Sequence, residues 1–371
     1  MRQVEELTWS QEKRDEEVNL RVCQGLSVSS SATYRTGQKA FGVFCELHAL
    51  DADHPTEKVL CEFGAWLHGT RGIDGSSVDK YITAVRSGLI DAGMVPFDRE
   101  SMPRLSRVTK GCARSYALAN RDTRKVRLPV TVEILRKIHA AIGTCGGYEE
   151  ALLWAAITLA FGAFLRSEEY TQKKVGGVES TPPKMAAIKF VDGNGVAVDM
   201  SMSRLLGRLG DGRMSGSVAG MSFFVAKSKT DQMMEGHTVF VAESLEKTLC
   251  PVSAMVKFLS MRLRAGVSVN SEEWLFLNKN GKPLQYLEML GGLRHVLREL
   301  GVQPMDYGTH SLRIGAATLA ARMGVPDSVI QKMGRWDSTC YLRYIRTSDE
   351  DLLKASSSML GEIGKSTAKK L

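Results

Sequence analysis

The sequence predicts a mostly helical α+β protein, in which a helical domain precedes a mixed α/β domain with a small antiparallel sheet. Three observations predict it. The chain has 371 residues, about twice the usual size of one domain. Apolar residues recur at helical spacing through the first third of the chain. Strand-like runs occur only between 185 and 241, with helical text on both sides.

Residues 1–30 are polar, carry six acids and four bases, and close on a serine-rich run, so they read as a loose N-terminal arm. Four helical patterns then make a compact domain over 31–119. Ser31 to Leu50 carries Tyr34, Phe41, Phe44 and Leu47 on one stripe, and Thr56 to His68 carries Val59, Leu60, Phe63 and Leu67. Ser77 to Ala92 carries Tyr81, Val85, Leu89 and Ile90, and a basic helix follows from about Glu100 to Leu118. Residues 120–130 are charged, non-periodic and contain Pro129, the pattern of a linker.

A second domain spans 131–348. Helices are expected from Thr131 to Ile142 and from Tyr148 to about Tyr170, then strands at Met185–Val191, Met221–Ala226 and Thr238–Val241. Between the first two strands, residues 192–220 hold seven glycines and read as a loop insertion outside the core. Helices resume at Pro251–Arg264 and Leu287–Leu300, then from Ser311 to about Leu360, with a C-terminal tail at 349–371 that includes a helix over 351–363.

Hydrophobic residues make up 43% and charged residues 24%, which excludes a disordered or collagen-like chain. The longest uncharged apolar stretch ends at Arg166 and is too short to span a bilayer, and the N-terminus lacks the apolar core of a secretory signal. The seven cysteines form no Cys-x-x-Cys pair, which argues against a zinc site or a disulfide framework and for a reducing, intracellular setting. Net charge is +8, and its distribution is lopsided. From Ser101 to Val130 eight bases (Arg104, Arg107, Lys110, Arg114, Arg121, Arg124, Lys125, Arg127) face one acid, Asp122. Arg107, Lys110 and Arg114 recur at helical spacing, so this segment reads as a surface for a polyanion such as duplex DNA.

Gly364-Lys-Ser366 has the ending of a phosphate-binding loop, but Met359 stands where its first glycine belongs. His-x-x-Arg spacing puts an imidazole and a guanidinium one turn apart, within reach of one phosphate. It occurs at His68, His295 and His310, and only the third has a rich context: Gly308-Thr-His-Ser-Leu-Arg-Ile-Gly-Ala-Ala-Thr318, then Met333-Gly-Arg-Trp336, then Tyr341-Leu-Arg-Tyr-Ile-Arg346.

These residues resemble the C-terminal signature of the tyrosine recombinase (phage-integrase-like) family, in wording close to members carried by eukaryotic mobile elements. Phe164-Leu-Arg-Ser-Glu-Glu169 resembles the segment bearing the family's first catalytic arginine, and Lys227-Ser-Lys-Thr-Asp231 the strand-turn segment bearing its catalytic lysine. The resemblance implies a site of Arg166, Lys229, His310, Arg313, Trp336 and Tyr344, with Glu169 orienting a neighbour. It also implies a helical core-binding domain, with DNA contacts from Arg107, Lys110, Arg114, Arg124, Lys125 and Arg127. The implied reaction is site-specific DNA cleavage and rejoining through a 3′-phosphotyrosyl ester, with no metal, ATP or other cofactor. It takes place on duplex DNA within a tetramer, in the nucleus if the host is eukaryotic.

The residue chemistry agrees. A phenol attacking a phosphodiester needs donors for the non-bridging oxygens, which suits Arg166 and Arg313. The leaving 5′ oxygen needs a proton, which a hairpin lysine can deliver, and His310 can exchange the tyrosine proton. Each residue also has a plainer role open to it: Arg166 as a helix cap, His310 at a helix start, Trp336 as core. Tyr344 is preferred to Tyr341 because it lies in the Tyr-Ile-Arg context, and Lys229 to Lys227 from the Lys-Thr match. The rival readings are a type IB topoisomerase and a non-catalytic DNA-binding protein derived from a recombinase.

Overall fold

A computed structural model describes residues 8–121, 126–143, 146–175, 178–198, 201–203, 206–207, 218–228, 231 and 233–368. The chain divides into two compact units, one of residues 1–124 with 174–179, the other of 125–173 with 180–371.

The first unit is helical. Helices α1 (Gln11–Gln24), α2 (Val28–His48), α3 (Glu57–Gly69), α4 (Gly75–Asp91) and α5 (Pro103–Ala119) follow in order. The expected loose arm is in fact α1, started by Ser10, whose hydroxyl accepts from the Lys13 N–H at 3.2 Å. None of its residues is buried, and a Glu17–Arg21 pair one turn apart at 2.9 Å supports it locally. The serine run is not linker either: Ser27 caps α2 by accepting from Ser30 N–H. Thr56 and Asp74 cap α3 and α4 in the same way. Helix α5 has no cap of its own, and the Glu57 carboxylate accepts from the Arg104 and Leu105 N–H groups at 2.7 and 3.1 Å.

Phe41, Phe44, Leu60, Phe63, Leu67, Val78, Ile82, Val85, Leu89 and Leu105 fill the core of this unit. Two expected stripe members miss it, since Leu47 is 67% and Ile90 41% exposed. The turn α2 needs against α4 is narrow, and Gly37 and Cys45 take the buried face instead. On α5, Leu105, Thr109 and Cys112 face inward. Arg107, Lys110 and Arg114 lie on the opposite, exposed face.

The second unit begins where 126–130 run along residues 305–311. Leu128 N–H donates to the Asp306 carbonyl and Val130 N–H to that of Ser311, each at 3.0 Å. The distal half of the expected linker is therefore bonded backbone. Helix α6 (Val132–Ile138) widens into a π-helical turn at His139–Gly143, and α7 (Tyr148–Gly162) is buried on nearly every side. Strands β1 (Lys174–Val175) and β2 (Val178–Glu179) pair antiparallel and cluster with the first unit. Strands β3 (Ile188–Val191), β4 (Gly220–Val225) and β5 (His237–Ala242) form an antiparallel sheet in that order, with Ile188 opposite Phe223 and Met221 opposite Val241. Side chains alternate as a one-sided sheet requires, with Met221, Phe223, Val225, Val239 and Val241 inward.

The insertion at 192–220 is not wholly outside the core, as the sequence suggested. Leu206 and Val218 are buried in the main cluster, and next to Val218 the Ala219 N–H continues the ladder by donating to the Val191 carbonyl. Helices α8 (Pro251–Arg264), α9 (Tyr286–Glu299), α10 (His310–Arg322), α11 (Asp327–Gly334) and α12 (Asp349–Ala368) complete the unit. Among the described residues no helix is long and apolar enough to cross a membrane.

Candidate active site

Two helix ends in the second unit build the site, and both close in the same unusual way. At the end of α7, Leu165 N–H reaches back to the Ala160 carbonyl at 2.9 Å, and Phe164 N–H to that of Phe161 at 3.2 Å. This closure requires a left-handed residue, normally glycine, but here it is Phe164 at φ 53°. At the end of α11, Trp336 N–H reaches the Gln331 carbonyl at 3.1 Å across Arg335, also at φ 53°. A side chain in that region costs roughly 1–2 kcal/mol. Burial of the Phe164 ring and the arginine bonds to its carbonyl offset the cost at the first turn. The two reversals present Arg166 and Trp336.

Arg166 is held by an acid three residues on. Its N–H donates to Glu169 Oε2 at 2.8 Å and its Nη1 to Oε1 at 3.1 Å. Arg335 Nη2 donates to the same carboxylate at 2.6 Å, and the Glu169 side chain has no exposed surface. Arg313 lies one turn into α10 and is fully buried. Its guanidinium donates to the Phe164 and Gly334 carbonyls and lies 4.2 Å from the centre of the Trp336 ring and 5.4 Å from that of Tyr344. Burial, then the charges of Arg166 and Arg335, push its pKa down, yet it stays protonated near neutrality.

Helix α10 comes close enough to serve this purpose because of Gly315. A Cβ there would stand 1.9 Å from the Val130 carbonyl oxygen. From the same helix, Thr318 Oγ1 donates to the Tyr344 carbonyl at 3.2 Å and accepts from Arg346 N–H at 3.1 Å, so it ties the tyrosine segment down.

Tyr344 lies in a shell of rings. Its centroid is 5.0 Å from that of His310 and 4.9 Å from that of Trp336. Tyr341 also meets Trp336, at 6.2 Å between ring centres, but it is buried, and burial and a bond to the Asp327 carboxylate both raise its pKa. His310 keeps surface open to solvent, yet its pKa is pushed down to about 4. Crowding by surrounding atoms is the largest cause, and the charges of Arg313, Arg166 and Arg346 act in the same direction. The direction would stand on those three cations alone. Four N–H groups around the site, Arg313 Nε, Arg335 Nε, Arg346 Nε and Trp336 Nε1, are buried with no partner among the described residues.

Of the residues the sequence singled out, Arg166, Glu169, His310, Arg313, Trp336 and Tyr344 therefore meet in one place. Lys229 lies outside the described residues, as do Arg124 and Lys125; Lys227 is exposed after β4. Arg127 is exposed and also bonded within the chain. Its Nη1 donates to the Met305 and Tyr307 carbonyls at 2.5 and 3.2 Å, so it straps chain to chain. Sequence reasoning missed Arg335, Phe164 and Thr318; the only trace of Arg335 was its place inside Gly-Arg-Trp. Among the described residues no three or more His, Cys, Asp or Glu side chains come together as a metal site would need.

A helical unit followed by a mixed unit with a three-stranded antiparallel sheet defines the class: the fold is that of tyrosine recombinases. The XerH site-specific recombinase bound to palindromic difH substrate superposes with a TM-score of 0.52 at 14% identity, over 82% of this chain and 70% of that one. The same recombinase in a pre-cleavage complex gives 0.52 at 16% identity, over 88% and 78%. This likeness is one of fold. Residues 229–350 match the phage integrase family. An integrase of Saccharopolyspora erythraea is 35% identical over 86 residues, 23% of this chain and 19% of that protein. The chain thus spans about a fifth of the curated relative it matches. That relative is bacterial, and the resemblance in wording to eukaryotic mobile elements finds no support from it.

Proposed function

We propose that the protein is a site-specific DNA recombinase or integrase that cleaves and rejoins strands through a 3′-phosphotyrosyl ester on Tyr344. One observation carries the reading: Tyr344 packs beside the buried Arg313 and Trp336, whose Nε and Nε1 N–H groups have no partner among the described residues. Unpartnered buried donors are costly in a folded chain, and a phosphodiester's non-bridging oxygens would satisfy them.

In this reaction Tyr344 Oη attacks phosphorus, a phosphotyrosyl ester forms, and the bond to the 5′ oxygen breaks. His310, neutral near pH 7, takes the phenolic proton. Lys229 protonates the leaving oxygen, and Arg166, Arg313 and Trp336 donate to the phosphate. One ester replaces another, so rejoining needs neither ATP nor metal. The exposed face of α5 with Arg107, Lys110 and Arg114 supports duplex binding by the first unit, and Arg124 and Lys125 are proposed DNA contacts from the sequence alone. Exposed Leu352, Leu353, Met359 and Leu360 on α12 support self-association into a tetramer on DNA. The domain assignments follow the sequence reading, except that α1 replaces a loose arm, 126–130 group with the second unit and 174–179 with the first.

The test is incubation with end-labelled duplex containing a trapped nick, followed by a denaturing gel. A labelled protein band that protease removes is the expected outcome, and no band with any selected site would sink the proposal. Relaxation of supercoiled plasmid without exchange between paired sites would instead favour the topoisomerase reading.

A further inference from the structure

The catalytic reading leaves the buried charge of Arg335 without a task. Arg335 sits at the left-handed closure of α11 with 5% of its side chain exposed, where a glycine would cost less. Its Nη1 donates to the Ala163 and Met333 carbonyls, both at 3.2 Å, and its Nη2 to the Phe164 carbonyl at 3.3 Å and to Glu169 Oε2 at 2.6 Å. The carboxylate of Glu169 is thus shared between Arg166 and Arg335.

Sharing has an electrostatic consequence. A buried carboxylate facing Arg166 alone would draw both forks into a two-bond pair and cancel the charge that a phosphate should meet. With Arg335 as second partner, three guanidinium groups (Arg166, Arg313, Arg335) stand around one carboxylate, which leaves a net two positive charges. Arg166 then keeps one bond to Glu169 from Nη1, and its remaining side-chain nitrogens have no protein partner among the described residues.

We propose that Arg335 is a positioning residue: it holds the Glu169 carboxylate off the Arg166 guanidinium and so keeps Arg166 aimed and charged for the phosphodiester. The inference rests on the proposed function. It accounts for a strained, buried arginine between Gly334 and Trp336 where a small residue would end the helix more cheaply.

The test is the rate of adduct formation on the trapped substrate, with DNA affinity and thermal melting measured on each variant. Arg335→Gln keeps donors for the carbonyls but loses the charge. It should slow adduct formation about 10–100-fold while changing DNA affinity less than about threefold, because remote phosphate contacts dominate binding. Adding Glu169→Gln to Arg335→Gln should recover about tenfold, since the uncompensated carboxylate is gone. A purely architectural arginine predicts the reverse, a further loss in the double variant. Arg335→Lys keeps the charge and should stay several-fold faster than Arg335→Gln, which decides the matter if the Gln variant melts below the assay temperature. Equal rates for Lys and Gln, or no recovery in the double variant, overturn the inference. A wild-type protein that forms no adduct overturns the proposed function, and the inference falls with it.

Discussion

At His310, crowding and the charges of Arg313, Arg166 and Arg346 all favour the neutral ring, which titrates near about 4 instead of 6.5. An unfolded chain takes up that proton near 6.5, whereas the folded protein does not until about 4. The unfolded state binds more protons in this window, so the contribution of His310 to stability falls as pH drops from about 6.5 to 4 and is level outside it. We expect an NMR titration of the ring, assigned by comparison with His310→Gln, to show a midpoint well below 6; an ordinary midpoint would mean that the three guanidinium groups are screened. The two tyrosines separate as cleanly. Tyr344→Phe should bind DNA without forming an adduct, because only the nucleophilic hydroxyl is lost, while Tyr341→Phe loses the bond to Asp327 and retains adduct. A persistent adduct in Tyr344→Phe would transfer the role. From the sequence alone the choice rested on wording; the ring contacts of Tyr344 and the carboxylate partner of Tyr341 give it a physical basis.

Among the elements, α10 does the most positioning, and its sequence explains how. Ser311, Gly315, Ala316, Ala317 and Ala320 are small and buried, so the helix can be surrounded on all sides while His310 and Arg313 project from its first turn. Gly315→Ala places a methyl group 1.9 Å from the Val130 carbonyl oxygen, which only a shift of backbone can relieve. We expect a loss of about 1–3 kcal/mol in urea denaturation, together with slower adduct formation as His310 and Arg313 move. A fully stable Gly315→Ala would show that residues 126–130 yield easily. Most helices were legible because burial on one face repeats with the helical period. The first arm was not, since α1 buries nothing and is held by a cap and an ion pair, signals too small to stand out from polar text. The insertion after β3 was misread for a related reason. Its glycines marked a loop, while Leu206 and Val218 pack into a core assembled from distant parts of the chain, which leaves no local period to read.

For the whole molecule, the basic face of α5 makes a quantitative claim. Each phosphate neutralised on duplex DNA contributes a slope of roughly −0.9 in a log–log plot of affinity against salt. Changing Arg107, Lys110 and Arg114 to Ala together should flatten that slope by up to about three units. Filter binding on non-cognate duplex across a salt series reads it, and an unchanged slope would mean that the face is only solvated. That face could be read from spacing, because the bases and the buried Leu105, Thr109 and Cys112 alternate along one helix. By itself the sequence determined the order of the larger core helices and of strands β3 to β5, the stretch of basic charge and the residue types of the site, since each is written in periodicity or in a short local run. Only the tertiary structure decided that Arg335 shares Glu169 with Arg166, that Arg127 is a strap, and that Thr318 fastens Tyr344. The reason is distance along the chain. Glu169 and Arg335 are 166 residues apart, and a bond of that span leaves no local periodicity to read, because it exists only once two helix ends have packed together.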